Sequence, residues 1–232
     1  MLAYMESNAG IGLLGPQLLY PDGSIQPSRR RFPTLATALV ESTIIQGFFT
    51  KSQTLRRYYM ADSSDSAVQE VDWVVGAAML VRREVIRQVG GLDEGFFMYS
   101  EEMDWCKRIK GHAPDGPPAP GPVMPGAANR VPAGNWRIVY LPTAQVVHHE
   151  GKSSEQALAI RHIHFHASKV RYLRKHHGWW QGQVVRLFIL TTYVWQLAEE
   201  SLKWLAGHKR GLRRERMRVY WQVIRSGLTV SS

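Results

Sequence analysis

The densest group of reactive side chains is Tyr99-Ser100-Glu101-Glu102-Met103-Asp104-Trp105-Cys106, with three carboxylates inside about one helical turn. A carboxylate that faces a cleft and accepts a hydrogen bond from a substrate hydroxyl can serve as a general base, with its neighbours tuning its pKa or orienting the substrate. The same acids also read as caps complementing a helix dipole, and residue types alone leave both readings open. Asp104 follows Glu101 by three residues and shares its face, whereas Glu102 points elsewhere, so the two can do different work. A second group, His148-His149-Glu150-Gly151, follows a strand-like run. A strand-end imidazole there can ligate a metal or be an ordinary exposed or core histidine. Of His162, His164 and His166, only the first and last share a helical face. No cysteine or acidic ligand stands at a familiar spacing, so a solvated basic helix is expected.

These residues need elements to hold them. Leu2 to Ser7 reads as the end of a helix stopped at Asn8-Ala9-Gly10, before the apolar Ile11-Gly12-Leu13-Leu14. Leu18-Leu19-Tyr20, Pro21-Asp22-Gly23 and Ser24-Ile25-Gln26 carry the turn chemistry of a short hairpin. Pro33 biases Phe32 to extended backbone, so a helix is expected only after it, from Thr34 to about Phe48. Val71 to Val81 is a nearly continuous apolar run that predicts one buried strand, with close backbone approach at Gly76-Ala77-Ala78. Arg83 to Val89 predicts a short helix ended by Gly90-Gly91, and Ser100 is the expected N-cap of a helix from Glu101 to about Lys110. Residues 111–134 hold seven of the 12 prolines and five glycines, which predicts a mobile surface insertion. Trp136 to Leu141 and Ala144 to His148 predict two strands parted by Pro142-Thr143. A capping-box pattern at Ser153 to Gln156 opens a helical tail.

The tail differs in charge from the rest. Residues 1–150 carry 14 Lys+Arg against 15 Asp+Glu, and residues 151–232 carry 15 against 4, so the net charge of +10 comes from the tail. Its partners are expected to be polyanions. No groove-reading or base-stacking motif is visible, so nucleic acid is not expected. Between Gln183 and Gly207, Val184, Phe188, Tyr193, Trp195, Leu202 and Trp204 mix with few charges between basic flanks. That pattern predicts an anchor lying on an anionic membrane surface, against the plainer reading of helices packed on the body. A lone Cys106 allows no internal disulfide, and no leader-like opening is seen, so a cytoplasmic setting is expected. No run reaches the ~18 apolar residues of a membrane span.

Three stretches carry a resemblance: DGSIQPSRRRFPT, VDWVVGAAMLVRREVIRQVGGLDEGFFMYSEEMDWCKR and WRIVYLPTAQVVHHEGKSS. In this order they resemble the second half of bacterial family 2 glycosyltransferases, especially the rhamnosyltransferase-like branch, over about residues 4–177 apart from the insertion. The resemblance implies an α/β fold, a partial GT-A-like mixed sheet with flanking helices, here followed by the basic helical tail. It places an acceptor and base half at residues 1–153 and the tail at 154–232. It implies inverting transfer of a sugar from a nucleotide-sugar to a glycan or lipid-linked acceptor, peripherally at the inner membrane face. Glu102 matches the usual general base, with Glu101 beside it and Asp104 the following acidic position. Asp72, Trp73, Gly76 and Ala77 fall beside donor sugar and acceptor, and His148 matches a late histidine of the metal site. A divalent cation, Mg or Mn, belongs to the complete family site. The donor half with its Asp-x-Asp motif is expected before residue 1, since no Asp-x-Asp occurs in this chain. The alternative is a non-catalytic, membrane- or partner-binding remnant of that fold.

Overall fold

The computed structural model describes residues 1–41, 43–49, 52–112, 135–149 and 158–229. In chain order they form α1 (Leu2–Glu6), β1 (Ile11–Leu19), β2 (Ile25–Gln26), β3 (Arg29–Arg30), α2 (Leu35–Val40), a 3₁₀ helix (Ile44–Phe49) and α3 (Gln53–Tyr58). There follow β4 (Gln69–Val71), β5 (Trp73–Val74), β6 (Leu80–Val81), α4 (Arg83–Val89), α5 (Glu101–Lys110), β7 (Arg137–Val147), α6 (Leu158–His177), α7 (Trp179–Leu205) and α8 (Arg210–Ser226). The chain folds as two compact units. One comprises Met1–Phe32, Arg56–Asp93 and Glu102–Glu150; the other gathers Pro33–Leu55, Glu94–Glu101 and Gly151–Ser232. The expected insertion from residue 113 onward and the expected capping box at Ser153 to Gln156 lie outside the described residues.

The first unit is a mixed sheet with strand order β2-β1-β7-β4, to which β6 adds beside β1. β1 runs parallel to β7 and antiparallel to β2 and β6. Eight of its nine residues are buried, as expected for a central strand covered on both faces. Two glycines make room for that cover. A methyl at Gly15 would fall 2.7 Å from Val74 Cγ1, and one at Gly12 would fall 2.9 Å from Val85 Cγ2 of α4. On α1, Met5 joins Ile11, Leu14, Val139 and Leu141 in the core. Arg82 ties the α1 turn to the sheet, donating to the carbonyls of Met5 (2.6 Å) and Ile11 (2.9 Å). The hairpin forms as the turn residues require, with Leu18 opposite Gln26, Gly23 at φ +82° and Asp22 accepting from the Ser24 amide.

Three expectations are corrected here. Val71 to Val81 is not one strand: it is the end of β4, then β5 and β6, with an exposed turn at Gly76 and Ala77. Small residues at its centre let the chain reverse where a β-branched run would have continued. The helix after Pro33 stops at Val40 and resumes as a 3₁₀ turn, with Phe48 fully out in solvent. Its expected start holds, since Thr34 accepts the Thr37 amide as an N-cap. The two strands after Trp136 are one, β7, which absorbs Pro142 through a register shift: Pro16 pairs with Leu141 and Gln17 with Gln145.

In the second unit α6, α7 and α8 pack on one another, and α2 packs on α7. Gly178 (φ +101°) and Gly207 (φ +82°) make the two reversals between the tail helices. Glu200 on α7, 6% exposed, accepts two bonds from Arg213 Nη1 of α8 at 2.7 and 2.8 Å. Lys169 of α6 binds Glu41 at 2.7 Å, and Ser168 donates to the Met98 carbonyl at 2.7 Å. Among the described residues no helix is long and apolar enough to cross a membrane.

Candidate active site

α5 brings the acidic cluster to the sheet. Its inner face, Met103, Asp104, Trp105, Cys106 and Ile109, is buried, and three cations occupy its last turn, where they complement the helix dipole. Cys106 is buried, and burial pushes its thiol up to about 12, so it is a packing residue and not a nucleophile. Ser100 is not an N-cap of ordinary geometry: it and Tyr99 both lie in the left-handed region, at φ +66° and +69°. Two consecutive non-glycine residues held there mark a backbone constrained by its surroundings.

Glu102 stands against Gly76. A methyl built on Gly76 would lie 3.4 Å from Glu102 Cβ, 3.5 Å from Cγ and 3.6 Å from the carboxyl carbon. Gly76 and Ala77 are exposed, whereas Glu102 is half-buried with its Oε2 shielded from solvent. The structure thus brings together Glu102, Gly76 and the turn carrying Ala77.

The other candidates in this unit hold the frame. Asp72 accepts from Lys110 Nζ at 2.9 Å and from the Phe32 amide at 2.9 Å, and pairs with Arg31 at 3.5 Å. Burial alone would lift its pKa, but the bonds from Lys110 and Phe32 and the charges of Lys110 and Arg31 outweigh it and hold the carboxyl below its ordinary range. Trp73 is 9% exposed and its indole donates to the Arg31 carbonyl at 3.0 Å, closing the β3–β5 pair. Asp104 has no exposed surface and turns to Arg108 Nε at 2.9 Å. Arg108 in turn donates to the carbonyls of Val89 (2.6 Å) and Gly91 (2.7 Å), at the C-terminus of α4, so Asp104 acts through that arginine. Glu101, the first residue of α5, belongs to the second unit; its Oε2 is shielded and without a hydrogen-bond partner among the described residues.

His148 lies just past β7, its amide bonded to the Leu19 carbonyl and its Nδ1 3.0 Å from Gln26 Oε1. It belongs to the hairpin end of the sheet. Among the described residues no three His, Cys, Asp or Glu side chains come together to hold a metal.

Two features escaped the sequence. An open cavity of about 450 Å³ is lined by Gln17, Asp65, Pro142 and Gln145 among others, and by none of the candidate site residues. Beneath it Gln145 donates to Gln17, which donates to the Tyr140 hydroxyl at 3.0 Å. The visible signal was a glutamine in each of two apolar strands. In the second unit, the Tyr193 hydroxyl meets both His162 Nδ1 (2.6 Å) and His166 Nε2 (3.1 Å). His166 is 5% exposed, which corrects the expected solvated helix face; burial, with Lys169 and His162 nearby, pushes its pKa down to about 3.

Over 172 residues the chain is 31% identical to the N-acetylglucosaminyl-diphospho-decaprenol L-rhamnosyltransferase of Mycobacterium tuberculosis, in strain H37Rv and equally in strain CDC 1551. That match takes in 74% of this chain and 48% of the relative, so the chain spans about half the length of the mycobacterial proteins. Over 82 residues, 35% of the chain, it is 33% identical to rhamnosyltransferase WbbL of Escherichia coli K12, of which it covers 28%. No family model matches the sequence, and no solved structure matches it. The mixed sheet with flanking helices agrees with a partial GT-A-like fold.

Proposed function

We propose, from its similarity to rhamnosyltransferases, that this chain supplies the acceptor and base part of an inverting glycosyltransferase site, with Glu102 as the general base. The observation that carries the reading is the packing of Glu102 against the exposed Gly76 turn. Glu102 takes the proton of an acceptor hydroxyl as that oxygen forms its bond to the anomeric carbon of the donor sugar. The bond from that carbon to the nucleotide diphosphate breaks on the opposite face, the diphosphate leaves with the electron pair, and the configuration inverts. Gly76 and Ala77 leave space for the sugar beside the carboxylate, and Asp72, Trp73 and Asp104 keep the turn and α5 in place. By likeness to the mycobacterial relatives, the donor is a nucleotide-linked L-rhamnose and the acceptor a lipid-linked diphosphosugar, met at the inner membrane face. The resemblance also implies a divalent cation; among the described residues His148 is the candidate ligand, and no step is routed through a metal here.

The test is a transfer assay of this chain joined to a donor-binding half, with thymidine-diphospho-rhamnose and a polyprenyl-diphospho-N-acetylglucosamine acceptor. Glu102→Gln keeps the shape of the side chain but cannot take the proton, and should lower turnover by about 10²–10⁴-fold with an unchanged circular dichroism spectrum. Near-normal turnover would move the base to Glu101. Acceptor binding with no transfer even when joined to the donor-binding half would favour the non-catalytic reading.

A further inference from the structure

The solvent-facing side of α7 carries an uncharged stripe along its length, bordered near its C-terminal end by the exposed Lys203–Glu199 ion pair. Trp180, Val184, Leu187, Thr191, Val194, Leu202 and Leu205 recur every three or four residues except across Ala198, with Trp195 beside Val194. Trp180 is 75% exposed, Leu187 and Leu202 68%, Leu205 67% and Trp195 66%. The opposite side, with Gly182, Val185, Ile189, Thr192 and Tyr193, is buried. The sequence pattern had joined Phe188, Tyr193 and Trp204 to the exposed set; Tyr193 is buried and the other two are half-buried, so the outward face is narrower and more uniformly apolar than expected. At 27 residues α7 is about 40 Å long, and a continuous apolar strip of that length marks an interaction surface.

Charge decides what covers it. Arg174 and Lys175 stand in the last turn of α6 immediately before the stripe, and Lys209 and Arg210 follow it, with Arg214 beyond. A second copy laid along the stripe, parallel or antiparallel, would set cations against cations at both ends. An anionic lipid surface meets both ends with the opposite sign, and the exposed Trp179, Trp180 and Trp195 have the amphipathic rings that settle at headgroup level. The helix is too polar to cross. We propose that α7 lies in the interfacial plane of an anionic bilayer, with the stripe from Trp180 to Leu205 turned into the acyl boundary and the flanking cations on the headgroups. This surface does not depend on the reaction assigned to the first unit.

Vesicle flotation of the full chain tests it, using phosphatidylglycerol–phosphatidylcholine vesicles against phosphatidylcholine alone. Recovery with the anionic vesicles should exceed that with neutral ones by about ten-fold. It should fall in 1 M salt, where the Debye length is ~3 Å. Leu187→Glu combined with Leu202→Glu should cut anionic recovery by about ten-fold, with thermal unfolding unchanged since both positions are exposed. Trp195→Gln, a milder change on the same stripe, should fall between the double variant and the unmodified chain. Equal recovery with both vesicle types, or a double variant that binds like the unmodified chain, would overturn the proposal. So would a lipid-free dimer in sedimentation that the double variant dissolves, which would give the face to a second copy.

Discussion

Glu102 and Gly76 face one another across the gap between α5 and the turn after β5, close enough that a methyl on residue 76 would touch the Glu102 side chain, and the absence of a side chain at residue 76 sets the space beside the carboxylate. A methyl there would meet Glu102 Cβ at 3.4 Å, an ordinary contact. A branched side chain would extend into the volume that the proposed acceptor hydroxyl must use. Gly76→Ala is therefore expected to fold normally and keep most of its transfer activity. Gly76→Val is expected to lose about 10²-fold in kcat/KM, because an ångström of misplacement is enough to spoil the line of attack. Its thermal stability should change little, since residue 76 is exposed. A valine variant as active as the glycine protein would remove Glu102 from the chemistry.

Lys110 reaches back from the last turn of α5 to Asp72, at 2.9 Å, and to the Val71 carbonyl, at 3.2 Å. Lys110→Met removes both bonds and leaves Asp72 with Arg31 and the Phe32 amide. The loss should be about 1.5–3 kcal/mol at neutral pH, the range for hydrogen bonds to charged groups. The folded carboxyl is held below its ordinary range, so its stabilisation is complete above the unfolded pKa and disappears as pH falls through the lower, folded value. The variant's folded pKa moves upward, so urea unfolding should show a smaller loss of stability on acidification than in the unmodified chain. An equal loss would mean that Lys110 does not hold the charge.

His166 gives a second acid-side dependence, at higher pH. Buried beneath Tyr193, it keeps its neutral ring down to about pH 3, whereas the unfolded chain takes up that proton near pH 6.5. Unfolding is therefore favoured progressively as pH drops from 6.5 towards 3, and the stability is fully present only above that window. The effect is on the order of a few kcal/mol over the whole window. His162 is also shifted down by burial and the Arg161 charge, and adds in the same direction. His166→Phe should flatten the stability profile between pH 7.5 and 4.5 in urea titrations. An undiminished slope would assign the dependence to other groups.

Local chemistry made some elements legible and hid others. The hairpin at Pro21 to Gly23, the helix start at Thr34 and the end of α4 at Gly90 each depend on residues within four positions, and the sequence identified them. The run from Val71 to Val81 looked like one strand because its residues are apolar throughout. What breaks it is that Val74 must pack on Gly15, some sixty residues earlier, while Leu80 and Val81 turn to pair with Leu14 and Leu13. His166 looked solvated because its partner, Tyr193, is 27 residues away on another helix. Asp104 was the acidic position following Glu102, and only the fold shows Arg108 between it and the carbonyls ending α4. The nearness of Glu102 to Gly76 followed from family order, and no periodicity in the chain would have given it.

The parallel pairing of β1 with β7 also sets a schedule for synthesis. Gln17 and Gln145, bonded across the two strands, are 128 residues apart in the chain. At ~5–20 residues per second, a ribosome delivers the partner strand about 6–25 s after β1 has emerged. For that interval a strand with eight buried residues can use only β2 and β6, four residue pairs in all, with one edge open. Nascent β1 is thus the segment most exposed to mispairing with other chains, and chaperone demand in expression should centre on Ile11 to Leu19.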